Sequence, residues 1–373
     1  MKPRYGLNVC DIINLQYKIR QFTAYYFLPE AKFMKVLFIG GTGKISMAIS
    51  RQLIEAGHEL YLLNRGSRNS ELGGSVKTIT ADIHDEQTAA KLLDGLTFDV
   101  VADFIAFDTP DVERDVRLFE GKTKQYIFIS SASAYQKPLS DYRITESTPL
   151  ANPYWEYSRK KIACEEYLLK RYRETGFPVT IVRPSHTYDE RSIPLGIHGE
   201  KGSWQVAKRM LEGKPVIIQG DGTSLWTMTH NSDFARAFIG LMNNIHAIGQ
   251  AVQITSDESL TWNQIYECIA DALGVKLNAV HVSSEFLAAC SNDKYDFYGS
   301  LLGDKSNSVV FDNTKLKRLV PGFTAQVRFD QGVKQTVNYI LKHPELQVED
   351  PEFDAWCDKV IKALDDAIKA VKQ

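Results

Sequence analysis

The chain has little cysteine and no arrangement of it that suits a metal. Cys10, Cys164, Cys268, Cys290 and Cys357 are scattered, odd in number and without a CxxC pair, which excludes a disulfide-framed scaffold and a zinc module and leaves reduced, packed thiols. No metal site is expected. Long apolar runs are absent too: none approaches the roughly 20 residues that span a bilayer, and the N-terminus lacks the continuous apolar stretch of a secretory leader. A cytoplasmic location follows as the expectation. Nor is charge of either sign in excess. Lys plus Arg number 44 against 46 Asp plus Glu, so no long-range field draws the chain to nucleic acid or to a membrane surface. Internal repeats and low-complexity tracts are missing as well. What is present is a globular composition, 44% hydrophobic and 24% charged over 373 residues, enough for a large α/β domain with a smaller companion.

Short apolar runs alternate with amphipathic segments from Lys35 onward, the pattern of repeated βαβ units. Lys35–Ile39, Glu59–Leu63, Val76–Thr80, Val100–Phe104, Gln125–Ser130 and Val179–Arg183 read as six consecutive strands, with Ala251–Thr255 a candidate to rejoin the same sheet. The predicted fold is α/β: a Rossmann-like doubly wound parallel sheet with a smaller α/β substrate lobe. Residues 1–33 read as an N-terminal extension, either a non-native or upstream-initiated start or a docking arm, since Met34 would be a natural first residue. Residues 34–184 form the dinucleotide-binding domain and residues 185–345 are mainly the substrate lobe with segments returning to the sheet. Within 346–373, Phe353, Trp356, Val360, Leu364, Ile368 and Val371 recur at helical spacing and predict a terminal amphipathic helix.

Gly40-Gly41-Thr42-Gly43-Lys44-Ile45-Ser46 follows the first strand and opens a helix. Glycines there permit a tight turn and let backbone N–H groups approach a pyrophosphate, to which the helix N-terminus adds partial positive charge. The second strand ends Asn64-Arg65, where an acidic residue would bond a ribose 2′-hydroxyl. None is there, so Asn64 can bond the hydroxyl while Arg65 or Arg68 can accept a 2′-phosphate. NAD or NADP is the expected cofactor. Asp82 and Ile83, after the third strand, are placed beside the adenine. Phe104, Ile105 and Ala106, after the fourth, are placed along the nicotinamide side.

Tyr157 and Lys161 lie four residues apart on a predicted helix and share a face. A tyrosine is a poor acid/base at neutral pH, and a neighbouring ammonium favours its phenolate. Ser131, at the carboxyl end of the fifth strand, can orient a substrate oxygen, with Ser133 as the second candidate hydroxyl. Together these features resemble the extended short-chain dehydrogenase/reductases, the group that contains nucleotide-sugar epimerases, dehydratases and reductases; the likeness covers about residues 34–341. The resemblance implies that Tyr157 exchanges a proton with the substrate oxygen, that Lys161 holds the nicotinamide ribose, that Ser131 bonds the same oxygen, and that Pro184 lies beside the nicotinamide. The segments GGTGKIS, LLNRG and ADFIAF are similar to an atypical subgroup related to the chloroplast stem-loop-binding proteins.

The resemblance also implies a departure. Nucleotide-sugar epimerases carry an arginine for the substrate pyrophosphate seven residues before an aspartate that matches Asp233, and here that place holds Trp226. Tryptophan offers one N–H and an aromatic face but no charge. Trp226 and His186 are therefore candidate substrate contacts, with Arg191, Lys201 or Arg209 as other sources of charge. The expected partner is a small, sugar-like molecule; a homodimer stays open, and the near-neutral charge argues against nucleic acid. The leading function is epimerisation or dehydration of a sugar or nucleotide-sugar through hydride transfer. Its rivals are an NADPH-dependent carbonyl reductase and a non-catalytic cofactor-sensing or RNA-binding protein on the same fold.

Overall fold

Parallel strands covered by helices on both faces read as near-continuous apolar runs, and KVLFI, VVAD and YIFI do so apart from the terminal Lys35 and Asp103. The computed structural model describes residues 33–66, 68–291 and 294–373; expectations for residues 1–32 lie outside them. Seven strands form one parallel sheet: β1 (Lys35–Ile39), β2 (Glu59–Asn64), β3 (Lys77–Thr80), β4 (Val100–Asp103), β5 (Tyr126–Ile129), β6 (Val179–Pro184) and β7 (Ala251–Ile254). Their order is β7-β6-β5-β4-β1-β2-β3, so the six predicted strands are all found and Ala251–Ile254 does rejoin the sheet beside β6. Chain direction across the sheet reverses at β1, which pairs with β2 on one side and β4 on the other. A crevice opens at the carboxyl ends of the strands at such a reversal.

The crossovers include α1 (Ser46–Glu55), α2 (Glu86–Leu92), α3 (Thr109–Phe119) and α4 (Glu156–Thr175). Beyond β6, α5 (Trp204–Leu211), α6 (Asn231–Leu241), α7 (Trp262–Leu273), α8 (Phe329–Lys342) and α9 (Pro351–Lys372) follow. Short parallel ladders join Val216–Gln219 to Ala279–Val282 and His186–Tyr188 to Met228–His230. An apolar cluster containing Trp204, Trp226, Trp262, Tyr266 and Phe353 fills this part of the chain. Arg209 is fully buried there, and its guanidinium holds α9 through Asp354 at 2.8 Å and Asp358 at 2.7 Å. No helix among the described residues is long and apolar enough to cross a membrane.

Helix α4 is unusual in what it buries. Ser158, Lys161 and Glu165 sit at 3- and 4-residue spacing and face the sheet with Cys164 and Leu168, so one stripe of the helix inserts two charges under the strands. The Lys161 ammonium donates to the carbonyls of Ala106 at 2.7 Å and Ile129 at 2.8 Å. Glu165 receives both arms of Arg183 from β6, at 2.9 and 2.5 Å, and the Ser130 hydroxyl at 2.5 Å. The Arg183 guanidinium also lies 4.9 Å from the Tyr135 ring centre. Removing one partner of a buried pair leaves the other charge uncompensated, at about 3–5 kcal/mol. Glu165→Ala is therefore expected to lose about 3–5 kcal/mol of unfolding free energy in denaturant titration; a loss below about 1 kcal/mol, the range of exposed ion pairs, would show that water reaches Arg183.

Candidate active site

The turn after β1 is built for close approach. Gly40 has φ +90°, and a Cβ there would come within 2.7 Å of Ile105 Cγ2; one on Gly41 would come within 2.4 Å of Leu62 Cδ2. The Gly43 N–H bonds Ser46 Oγ at 2.8 Å, and no side chain caps α1, whose N-terminus opens at Lys44 and Ile45. Gly40, Thr42, Asn64, Arg65, Asp82, Ile83, Ile105 and Phe107 line a cleft of about 390 Å³. Arg65 is exposed and makes no ion pair among the described residues, whereas Arg68 is committed to Glu71 at 3.1 Å. Asn64 holds its own turn, accepting from Gly66 N at 2.8 Å and donating to Asn69 at 2.7 Å.

At the end of β4, Asp103 folds back to accept from the N–H groups of Ile105 at 2.5 Å and Ala106 at 2.9 Å. Asp111 accepts from Phe107 N at 2.8 Å. Arg114 of α3 reaches Asp103, Asp111 and Asp115 together, and burial with Asp115 nearby holds the Asp103 carboxyl well above the usual carboxylate range. The backbone of 105–107 is thus fixed from below. Phe104 departs from expectation: its ring lies 5.0 Å from that of Phe38 and 5.8 Å from that of Phe238, because alternation along the extended chain sends it to the face opposite Asp103. It is half-buried against those two rings and lines neither cleft.

A second cleft, of about 300 Å³, lies at the ends of β5 and β6 and is lined by Ser131, Ser133, Tyr157, Pro184, His186 and Trp226 among others. Ser131 Oγ and Ser133 Oγ are 2.8 Å apart, and Ser158 Oγ donates to Ser133 at 2.8 Å. Lys161 Nζ lies 5.8 Å from the Tyr157 ring centre and 4.7 Å from that of Phe107, so Tyr157 faces this cleft while Lys161 stands between it and the first. Burial pushes the Tyr157 phenol up, with the Ser131 hydroxyl pulling the other way. The phenol is not depressed as the four-residue spacing predicts, because Lys161 spends its ammonium on two carbonyls and burial dominates.

Trp226 is 3% exposed, stacks on Trp262 at 5.4 Å between ring centres and donates to His186 Nδ1 at 3.4 Å. Burial holds His186 neutral, its pKa well below the usual value. Arg191 pairs with Glu71 at 2.6 Å and Arg209 with α9, so neither serves the cleft. Its charges come instead from residues the sequence pattern did not single out: Lys137, Asp304 and Lys305, with His198 and Trp155 beside them. Lys137 was legible only as a lysine before a proline. Asp304 and Lys305 close a π-helical turn, Tyr298–Lys305, which leaves no periodic signal. Among the described residues no cluster of three His, Cys, Asp or Glu is set to hold a metal.

The profile of the NAD dependent epimerase/dehydratase family matches residues 36–255. The chain belongs to that family. Within it, the chain is 27% identical over 296 residues to 2′-dehydrokanamycin reductase of Streptomyces kanamyceticus, covering 79% of this chain and 81% of the relative. It is 24% identical to the chloroplast stem-loop binding protein of 41 kDa b of Arabidopsis thaliana, over 70% of each. The fold superposes on a dTDP-glucose 4,6-dehydratase of Bacillus anthracis in complex with NAD, with TM-score 0.66 and 19% identity, covering 84% of this chain and 98% of that one.

Lys161 is 3% exposed, and burial lowers its pKa from 10.5 to about 8. Between those values the unfolded chain binds more protons than the folded one, so this site adds stability as pH rises, at a limiting slope of about 1.4 kcal/mol per pH unit. Below the folded pKa the cost of burying the ammonium is fully present. Denaturant titrations at intervals from pH 7.5 to 10 should show the wild type gaining on Lys161→Met across that window; a constant difference between the two would show that Lys161 does not titrate there.

Proposed function

We propose that this member of the epimerase/dehydratase family uses NAD or NADP to transform a sugar or sugar-like substrate by hydride transfer, with Tyr157 as acid/base. One observation carries the reading: Tyr157 and Ser131 share a cleft wall, and the buried Lys161 behind them stands against Phe107, a wall of the glycine-turn cleft. A scaffold that only binds has no need of a buried ammonium at the meeting point of two clefts.

The glycine turn fits a dinucleotide, since Gly40 and Thr42 line an open cleft of about 390 Å³ and the α1 N-terminus is uncapped. Gly40, Thr42, Gly43, Lys44 and Ile45 would hold the pyrophosphate, Asn64, Arg65, Asp82 and Ile83 the adenosine, and Ile105, Ala106, Lys161 and Pro184 the nicotinamide half. Bound there, the cofactor supplies a hydride acceptor and, oxidised, a positive charge. Ser131 donates to the substrate oxygen and fixes it against Tyr157. Tyr157 would act as the phenolate, ionised beside that positive charge, taking the hydroxyl proton as the carbonyl forms and returning it in the reverse direction. Lys161 would order the ribose from a position set by the two carbonyls it already holds.

Tyr157→Phe should lower turnover of any accepted substrate by at least about two orders of magnitude while NAD affinity is retained; steady-state rates near wild type would remove Tyr157 from the mechanism. Arg65→Ala should weaken NADP by roughly tenfold, the worth of one charge-assisted contact, and leave NAD unchanged. Equal losses for both cofactors in fluorescence titration would take Arg65 out of the 2′-phosphate site.

A further inference from the structure

Proton transfer uses the wall of the cleft that Ser131 and Tyr157 form, and the facing walls carry a different set of charges. Lys137, in the loop that follows β5 and the short turn Ala132–Ala134, is 3% exposed, lines the cleft, and has no hydrogen bond or ion pair for its ammonium among the described residues. Lys305 enters at the end of the π-helical turn, held at 3.5 Å by the Ser300 carbonyl and 5.8 Å from the Trp155 ring centre. Asp304 lies within electrostatic reach of both lysines. Burial keeps His186 and His198 neutral. Of the charges lining the cleft two are positive and one negative; Lys305 also feels Asp296 from outside it, which leaves the Lys137 ammonium as the one with neither a hydrogen bond nor an ion pair among the described residues.

A buried ammonium with no counter-charge costs several kcal/mol, and burial indeed pushes both lysines down. An anion in the cleft would reverse that cost. Phosphate, at about −1.5 to −2 near neutral pH, overshoots the single charge to be matched; a carboxylate matches it. Size points the same way. About 300 Å³ is at the bottom of the ~300–1,000 Å³ range of ligand sites, and Trp155 and Trp226 are among the residues that line it. Beyond Lys305 and His198 the adjoining hollow is lined by Glu200 and Asp296 as well as Lys294, so it adds no excess of positive charge for a diphosphate.

We infer that the substrate is a sugar acid: a compact polyhydroxylated carbon frame whose single carboxylate is bound by Lys137 and Lys305, without a nucleoside diphosphate. The inference names the substrate class of the site proposed above and rests on that reading only for which carbon meets Tyr157. It can be tested by binding alone, by isothermal titration calorimetry on the full chain in saturating NAD. D-glucuronate, D-galacturonate and D-gluconate would be compared with D-glucose, D-galactose and D-glucitol, and with UDP-glucose, in the Tyr157→Phe background so that no turnover intervenes. At least one acid should bind about tenfold more tightly than its neutral counterpart, the worth of one charged hydrogen bond. Lys137→Gln and Lys305→Met should each abolish most of that preference, and Lys137→Arg, which keeps the charge, should retain part of it. The inference is overturned if no acid outbinds its neutral counterpart, if UDP-glucose outbinds every acid, or if both lysine variants keep the preference. Should the acids bind through the lysines while Tyr157→Phe retains full turnover, only the acid/base assignment falls.

Discussion

Everything at the site is referred to one buried ammonium. Lys161 Nζ joins the carbonyl of Ala106, just past β4, to that of Ile129, at the end of β5, and so sets the height at which α4 crosses the sheet. One turn further on, Glu165 fixes the same helix to β6 through Arg183. With three strands tied to one helix face, Tyr157 at its first turn has little freedom to shift, and its place in the cleft wall is fixed at the expense of burying charge.

The Asp103–Arg114–Asp115 group performs the same service for the other cleft. Without Asp103, the N–H groups of Ile105 and Ala106 would be left without an acceptor at a bend in the chain, and the carbonyl that Lys161 requires would lose its position. The two networks meet at Ala106, so the walls of the two clefts are one mechanical unit, although they derive from separate crossovers.

Much of this was legible in the chain because it is written locally. Parallel strands announce themselves as apolar runs, the glycine turn as three glycines at a strand-to-helix junction, and Tyr157 with Lys161 as a four-residue repeat. Other features depend on contacts between distant segments and leave no local trace. Nothing around Phe104 says that its ring will meet Phe38 and Phe238, or that Asp111, Arg114 and Asp115 will serve β4 from a helix that reads as an ordinary amphipathic crossover. The charged wall was least visible of all, since Lys137, His198, Asp304 and Lys305 come from three distant stretches of chain.

The π-helical turn at Tyr298–Lys305 has a bearing on how such a cleft diversifies. In it the Ser306 N–H reaches back five residues to the Leu301 carbonyl, at 2.9 Å, one residue more than an α-turn holds. That extra residue decides the angle at which Asp304 and Lys305 leave the backbone. Deleting one position rotates whatever follows by about 100°, the angular step of a 3.6-residue turn, and presents other side chains to the cleft. Ligand preference can therefore drift through small changes of length on one wall, while β5, α4 and the chemistry they carry stay as they are.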